Sequence, residues 1–414
     1  MTRIDCKWQT VMVLFFVAGL NYADRTAIST VFPLVRADLG LSDVAMAAIG
    51  SVFLWAYALG SPAAGYLADR VSKSRVIFWS LLAWSAATVT TAFVYDLRAM
   101  LVVRVMLGLA ECAYLPAAVA LIADHHDPTT RATAMGIHLA GLNAGLIGGG
   151  FLCGYLGEHF GWRIDFLALG VAGFLLALVV KLVLRDVTPV MPVVRSRAMG
   201  IRHVGTLLRN LTADAVLIEA MLVATGTWMF FNWLPLYFKE TYDMSLAAAG
   251  FSGTFMIQMA AVIGITAGGV LSDRLARGKV ARRVLLLSVC YFMAAPFLAV
   301  FVIRPSYLLI SAAIFAYSLL RSIGSINEHP ILCDVLPQDL RATAIGLMNT
   351  LSCASGGVGV LAAGYLKHDW GLSGIFGGVS LLVVTAAVIA LIAYLQLVGT
   401  RTLAPVEYET SRAG

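Results

Sequence analysis

The sequence predicts an all-α membrane protein, with twelve transmembrane helices arranged as two pseudosymmetric six-helix bundles. Three observations carry that expectation: apolar runs long enough to span a bilayer, basic residues confined to alternate loops, and short motifs that recur between the two halves of the chain. Of 414 residues, 60% are hydrophobic and 13% charged, whereas soluble domains carry about a quarter charged residues. The mean hydropathy is +0.86. Runs such as Val76 to Val94, Ala213 to Phe238, Val284 to Ile303 and Ile375 to Val398 reach the roughly 20 residues that cross about 30 Å of hydrocarbon.

Breaking the chain at polar clusters places spans at 10–35, 44–68, 74–94, 98–123, 132–157, 162–185, 212–238, 246–271, 282–303, 306–333, 342–366 and 373–398. One set of alternate loops carries Arg70, Lys73 and Arg75, then Arg131, Arg185, Arg274, Arg277, Lys279, Arg282, Arg283 and Arg341. The other set holds far fewer cations, so the positive-inside rule puts both termini in the cytoplasm of a multi-pass protein of the cell (inner or plasma) membrane. The excess of 29 Lys+Arg over 23 Asp+Glu follows these loops, and no nucleic-acid partner is expected. The first apolar stretch runs from Trp8 past Leu20 with no small-residue cleavage site before Asp24, so no cleaved signal peptide is expected. The six cysteines show no metal-ligand spacing, and neither a disulfide, a metal nor an organic cofactor is expected.

The break from Asp186 to Asn210, with Pro189, Pro192 and several arginines, reads as a linker. The domain expectation is an N-terminal bundle over 1–185, a cytoplasmic linker over 186–211, a C-terminal bundle over 212–400 and a tail over 401–414. Arg131-Ala132-Thr133-Ala134 recurs as Arg341-Ala342-Thr343-Ala344, an offset of 210 residues shared by Gly154-Tyr155-Leu156 and Gly364-Tyr365-Leu366. Parallel six-helix repeats place a transport site at their interface, near the bilayer midplane. Glycines concentrate in the fifth, eighth and eleventh spans, where small residues permit close helix approach.

The loop Gly65-Tyr66-Leu67-Ala68-Asp69-Arg70-Val71-Ser72-Lys73-Ser74-Arg75 resembles the signature of the major facilitator superfamily, with a weaker copy at Gly269 to Lys279 containing Asp273 and Arg274. Ser72 stands where that family usually has glycine. Within the superfamily, Asn21-Tyr22-Ala23-Asp24-Arg25-Thr26, Arg104 to Glu111, Gly161-Trp162-Arg163-Ile164-Asp165-Phe166 and Trp228 to Tyr237 resemble the anion:cation symporter family, which includes sugar-acid importers and relatives of sialin. The resemblance implies proton-coupled symport of a small organic anion by a monomer. It carries proton coupling onto Asp24 and Glu111, and substrate or network roles onto Arg25 and Arg104. Tyr22, Tyr57 and Asn349 match positions that contact substrate, and Trp228 lies in the aromatic segment of the seventh span. For Gly65, Asp69, Arg70, Arg75, Asp273 and Arg274 it implies cytoplasmic networks that stabilise the outward-facing state.

The residues themselves support a site of this kind. A charge at the centre of a membrane helix costs about 3 kcal/mol on insertion scales, and Asp24, Arg25, Arg104, Glu111, Arg321 and Glu328 all fall inside spans. A rise of 1.5 Å per residue puts Asp24, Arg25 and Arg104 at about one depth. Glu111, seven residues beyond Arg104, lies on nearly the same face. Burial disfavours the charged form of Glu111, which suits it to exchanging a proton. A guanidinium matches a carboxylate in shape and charge, and a charged Asp24 competes with an anion for it. A purely structural Asp24–Arg104 ion pair is the competing reading.

Arg321 has three open roles: gating through Glu111, binding a second carboxylate, or pairing with Glu328. Ser61 and Leu142 stand where sugar-acid members commonly place glutamine, which argues for a less hydroxylated carboxylate, aromatic or short-chain, with Asn143 and His138 nearby as possible replacements. A proton-driven drug antiporter of the same fold is the nearest rival, and it usually lacks the Asp24-Arg25 pair. The chain has neither HExxH nor GxSxG, which argues against an enzyme. Membrane lipid is the remaining expected partner, through the basic loops.

Overall fold

A computed structural model describes residues 3–127, 129–186, 210–303 and 305–402. Residues 187–209 of the expected linker, the tail from 403 onward and the side chain of Asp69 lie outside that description. The described residues are helical, with no strand among them. The first half comprises α1 (Arg3–Thr30), α2 (Phe32–Leu39), α3 (Asp43–Arg70), α4 (Lys73–Thr91), α5 (Leu97–Glu111), α6 (Tyr114–His125), α7 (Arg131–Phe160) and α8 (Trp162–Val183). The second comprises α9 (Leu211–Tyr242), α10 (Leu246–Ala276), α11 (Val280–Ala299) with a 3-10 turn at Val300–Ile303, α12 (Tyr307–Ser325), α13 (Glu328–Val335) and α14 (Gln338–Thr402).

Ten stretches are long and apolar enough to cross a membrane, and the last of them, Thr343–Gly399, has 57 residues. Gly371, with φ 62° and ψ 168°, divides that stretch into two helices, and α4 packs along α8 as a further span. The expected twelve spans are thus present among the described residues. Several helices begin at residues whose side chains accept a backbone N–H: Ser42 from Ala45, Asp96 from Ala99, Asn210 from Ala213, and Ser306 from Leu309.

Two spans expected to be continuous are broken. Between α5 and α6 the break follows Glu111, and between α12 and α13 it precedes Glu328. Pro116 and Pro330 lie just beyond the two breaks. A proline offers no N–H to the carbonyl four residues earlier and its ring crowds that carbonyl, here at Cys112 and Ile326. In the second break the Asn327 amide also donates to the carbonyls of Ile323 and Gly324, at 3.1 and 3.0 Å.

The halves repeat one packing scheme. In the first, α1 packs on α7, α3 on α5 and α4 on α8; in the second, α9 and α11 pack on the two parts of α14, and α10 on α12. The halves meet where α3 lies along α14 and α7 along α10. A Cβ on Gly154 would come within 2.4 Å of the Leu246 carbonyl oxygen, and one on Gly364 within 2.4 Å of the Ala47 Cβ. Bonds joining the halves run from Trp55 to the Ala354 carbonyl (3.1 Å), from the Leu246 N–H to Glu158 (3.1 Å) and from Lys367 to Asp43 (3.1 Å). They lie in the half of the molecule away from Arg70, Arg131 and Arg341. At that opposite, basic end the charge contacts among the described residues stay within one half: Lys73 with Asp124 at 2.7 Å, and Arg283 with Asp273 at 2.8 Å.

Candidate functional site

Just inside the closed end, α1, α3, α4 and α5 bring their buried polar residues together. Arg25 donates through Nε to Glu111 Oε2 at 2.7 Å, with side-chain exposures of 9% and 0%. The guanidinium carbon of Arg25 lies 4.6 Å from the ring centres of both Tyr22 and Tyr57 and 5.4 Å from that of Phe53, positions that suit cation–π attraction. Arg104 lies 4.9 Å from the other part of this aromatic group, at Phe53. Gly108, between Arg104 and Glu111 on the buried face of α5, lets the α3 backbone at Phe53 approach.

The acids divide differently from expectation. Asp24 is buried and accepts a hydrogen bond from Thr88 of α4, while its other oxygen has no partner. It makes no ion pair with Arg104; Nε and Nη1 of that buried guanidinium have no acceptor. Asp24 and Arg104 still act on each other electrostatically. The acid that holds an arginine is therefore Glu111, and the arginine held is Arg25. Equal depth allowed either pairing, and the rotation of α1 decides between them.

Arg25, Tyr22 and Tyr57 also lie within electrostatic range of Cys353 on α14, so this group faces the second half. Above it, Trp55 bonds to the Ala354 carbonyl, and a Cβ on Gly357 would strike the Trp55 ring at 2.4 Å. Trp228 of α9 packs on Gly356 of the same α14 segment. Asn349 lies one turn further toward the basic end and is exposed.

Other candidates fall elsewhere. Asn143 donates to its own helix at the Leu139 carbonyl, 2.9 Å. His138 is buried and bonded through Nε2 to the Tyr114 hydroxyl at 3.0 Å, and Ser61 donates to the Tyr57 carbonyl at 2.7 Å. Arg321 lies on α12 beside a small cavity lined by Thr227, Phe230, Tyr317 and Ser318. Its electrostatic partner is Glu328, rather than Glu111. Arg70 stacks on Tyr66 at 3.9 Å, and Gly65, Arg75 and Arg274 lie at the basic end away from the Arg25 group. Ser72 caps α4 and donates to Asp186, which also accepts from Ser74 N–H at 3.0 Å. The family's usual glycine offers no such tie.

Two participants escaped the sequence reading. Thr88 gave no signal, since threonines are common in spans. Glu219 did: it is an acid within the apolar run from Ala213 to Phe238, and it is fully buried with both oxygens unpartnered. Among the described residues no cluster of three or more His, Cys, Asp or Glu could hold a metal ion.

Residues 14–360 match the Major Facilitator Superfamily. The chain belongs to the major facilitator superfamily. Among its relatives, the probable galactarate/D-glucarate transporter of Escherichia coli (strain K12) is 26% identical, covering 96% of this chain and 94% of its own length. The hexuronate transporter of Bacillus subtilis (strain 168) is 24% identical, covering 97% and 99%. An MFS-type efflux pump of Mycolicibacterium smegmatis is 29% identical, covering 95% and 90%. The fold is similar to the crystal structure of a bacterial homolog of the human lysosomal transporter Spinster, inward-facing and unoccupied, with TM-score 0.79, 20% identity and coverage of 98% and 99%. This major facilitator chain is a membrane transport protein rather than an enzyme, and its sugar-acid relatives agree with the resemblance drawn from its first, fourth and seventh spans.

Proposed function

We propose that this chain is a proton-coupled symporter that takes up a small organic anion, a carboxylate or sugar acid, by alternating access. The observation that carries the reading is the Arg25–Glu111 pair, set among Tyr22, Tyr57 and Phe53 and facing the second half of the molecule. An incoming carboxylate and Glu111 compete for one guanidinium. Protonation of Glu111 frees Arg25 for the substrate, so the proton and the anion load together. Asp24, bonded to Thr88, balances Arg104 and sets the field in which that exchange occurs. The proton is the coupling ion, no cofactor takes part, and the monomer is the working unit.

With both termini cytoplasmic, the closed end faces outward and the basic end opens inward. Asp69, Arg70, Arg75, Asp273 and Arg274 then act in the opposite state, when the basic ends of the two halves meet. Two relatives are named for galactarate, D-glucarate or hexuronate transport. Ser61, His138 and Asn143 each bond within their own bundle, and none joins the Arg25 group. That favours a carboxylate with fewer hydroxyls, aromatic or short-chain, over a fully hydroxylated sugar acid.

Counterflow in proteoliposomes tests the reading, with D-glucarate, benzoate, lactate and a cationic dye as competitors. Carboxylate exchange accompanied by proton uptake, abolished in Glu111→Gln, is the expected result. Unchanged coupling in both Glu111→Gln and Asp24→Asn would exclude these acids. Exchange of the dye alone would favour an antiporter, the reading to which the Mycolicibacterium relative points.

A further inference from the structure

The second half of the chain holds a buried acid pair that anion transport as described above does not use. Glu219 of α9 is fully buried, and neither of its carboxylate oxygens has a hydrogen-bond partner. Glu328, the first residue of α13, is partly buried and accepts from the Tyr291 hydroxyl of α11 at 2.9 Å. Glu219 and Glu328 interact with each other through space, and Arg321 of α12 acts on Glu328 and Tyr291. Tyr317, also on α12, lies near the same arginine. The helix α14 packs on both α9 and α11, yet among the described residues none of its groups acts on either acid. The neighbourhood thus contains two carboxyls and one cation.

Two ionised carboxylates cannot share a dry site cheaply, and a lone buried carboxylate without a donor is costlier still. The hydroxyl of Tyr291 has one hydrogen, which it gives to Glu328; Tyr291 is also the one polar group that acts favourably on Glu219, and it cannot serve both carboxylates at once. We propose that Glu219 and Glu328 together bind one proton, forming a second proton site in the half of the chain opposite Asp24 and Glu111. With that proton bound, the remaining charge balances Arg321. Glu328 is the exchanging member, because it is partly exposed and sits at the break opened by Pro330; Glu219 is the sealed one. The first half carries the counterpart, with Glu111 at the break that precedes Pro116. This site does not depend on anion coupling at Glu111.

Infrared titration of the purified full-length protein tests it, since the C=O stretch of a protonated carboxyl is resolved from carboxylate bands. A protonated-carboxyl band that persists at neutral pH, vanishes in Glu219→Gln and survives in Glu111→Gln is the expected result. Glu219→Gln should also melt like the wild type, because glutamine replaces a neutral acid. Persistence of every protonated-carboxyl band in Glu219→Gln, or a lowered melting temperature from an Arg321 left without a counter-charge, would overturn the proposal. Failure of Glu111→Gln to alter proton-coupled transport would remove the function proposed above and leave this band assignment standing.

Discussion

Arg25 on α1 and Glu111 on α5 meet at 2.7 Å although 86 residues separate them, and the aromatic rings around them leave the guanidinium little alternative to a carboxylate. Arg25→Lys keeps the charge and loses the planar fork. With charge-assisted hydrogen bonds contributing about 1.5–3 kcal/mol, anion affinity should fall at least about tenfold. Thermal-shift titration with the carboxylate proposed as substrate measures this, and unchanged affinity would place the anion elsewhere.

Lys367 bridges the halves at the closed end, 3.1 Å from Asp43 and 2.8 Å from Glu240. Such partly exposed pairs contribute up to about 1 kcal/mol each. Only the Asp43 pair crosses between the halves, so Lys367→Met should shift the population toward the state open at that end by up to about fivefold. Ala47, fully buried beneath this bridge, reports the change as Ala47→Cys: a membrane-impermeant maleimide should label it faster in the Lys367→Met background.

Glycines that look alike in sequence should behave differently. A Cβ on Gly145 would lie 2.0 Å from the Gly19 carbonyl oxygen, within one bundle, whereas one on Gly154 meets the Leu246 carbonyl across the interface. Gly145→Ala should cost about 1–3 kcal/mol of stability by overpacking, read as a lower melting temperature. Gly154→Ala should leave melting nearly unchanged and raise labelling at Ala47→Cys, since separating the halves relieves the clash.

At the basic end, burial works against the charged form of Asp186, yet hydrogen bonds from Ser72 and Ser74 outweigh it and hold the carboxyl below its usual range. A depressed folded-state value adds stability that is present above the unfolded value, near pH 4, and disappears as pH falls through the folded one. Ser72→Gly removes one of these bonds. The site is largely solvated, so the loss should stay below about 1 kcal/mol; it should appear as a lower melting temperature above about pH 4 that converges with the wild type as the pH falls through the folded-state value.

Much of this molecule was legible in its residues. The spans followed from apolar length, the repeat from the Arg131 and Arg341 motifs, and the depth of Asp24, Arg25, Arg104 and Glu111 from counting along helices. The breaks beside Glu111 and Glu328 were also written there, in Pro116 and Pro330, but a hydropathy window averages over a proline. Glu219 was hidden in the same way, as one acid in a strongly apolar run.

What counting could not settle is which neighbour each charge faces. Depth depends on distance along one helix, and 1.5 Å per residue is a local property of the backbone. Direction depends on how a helix is rotated against its partners, where adjacent residues such as Asp24 and Arg25 diverge by about 100°. That rotation is decided by long-range packing, through close approaches such as Gly145 on Gly19 and Gly108 on Phe53. Hence the chain alone determined a twelve-span transporter with a charged layer at mid-membrane. Only the tertiary structure gave Glu111 to Arg25, Thr88 to Asp24, and Glu328 to Tyr291.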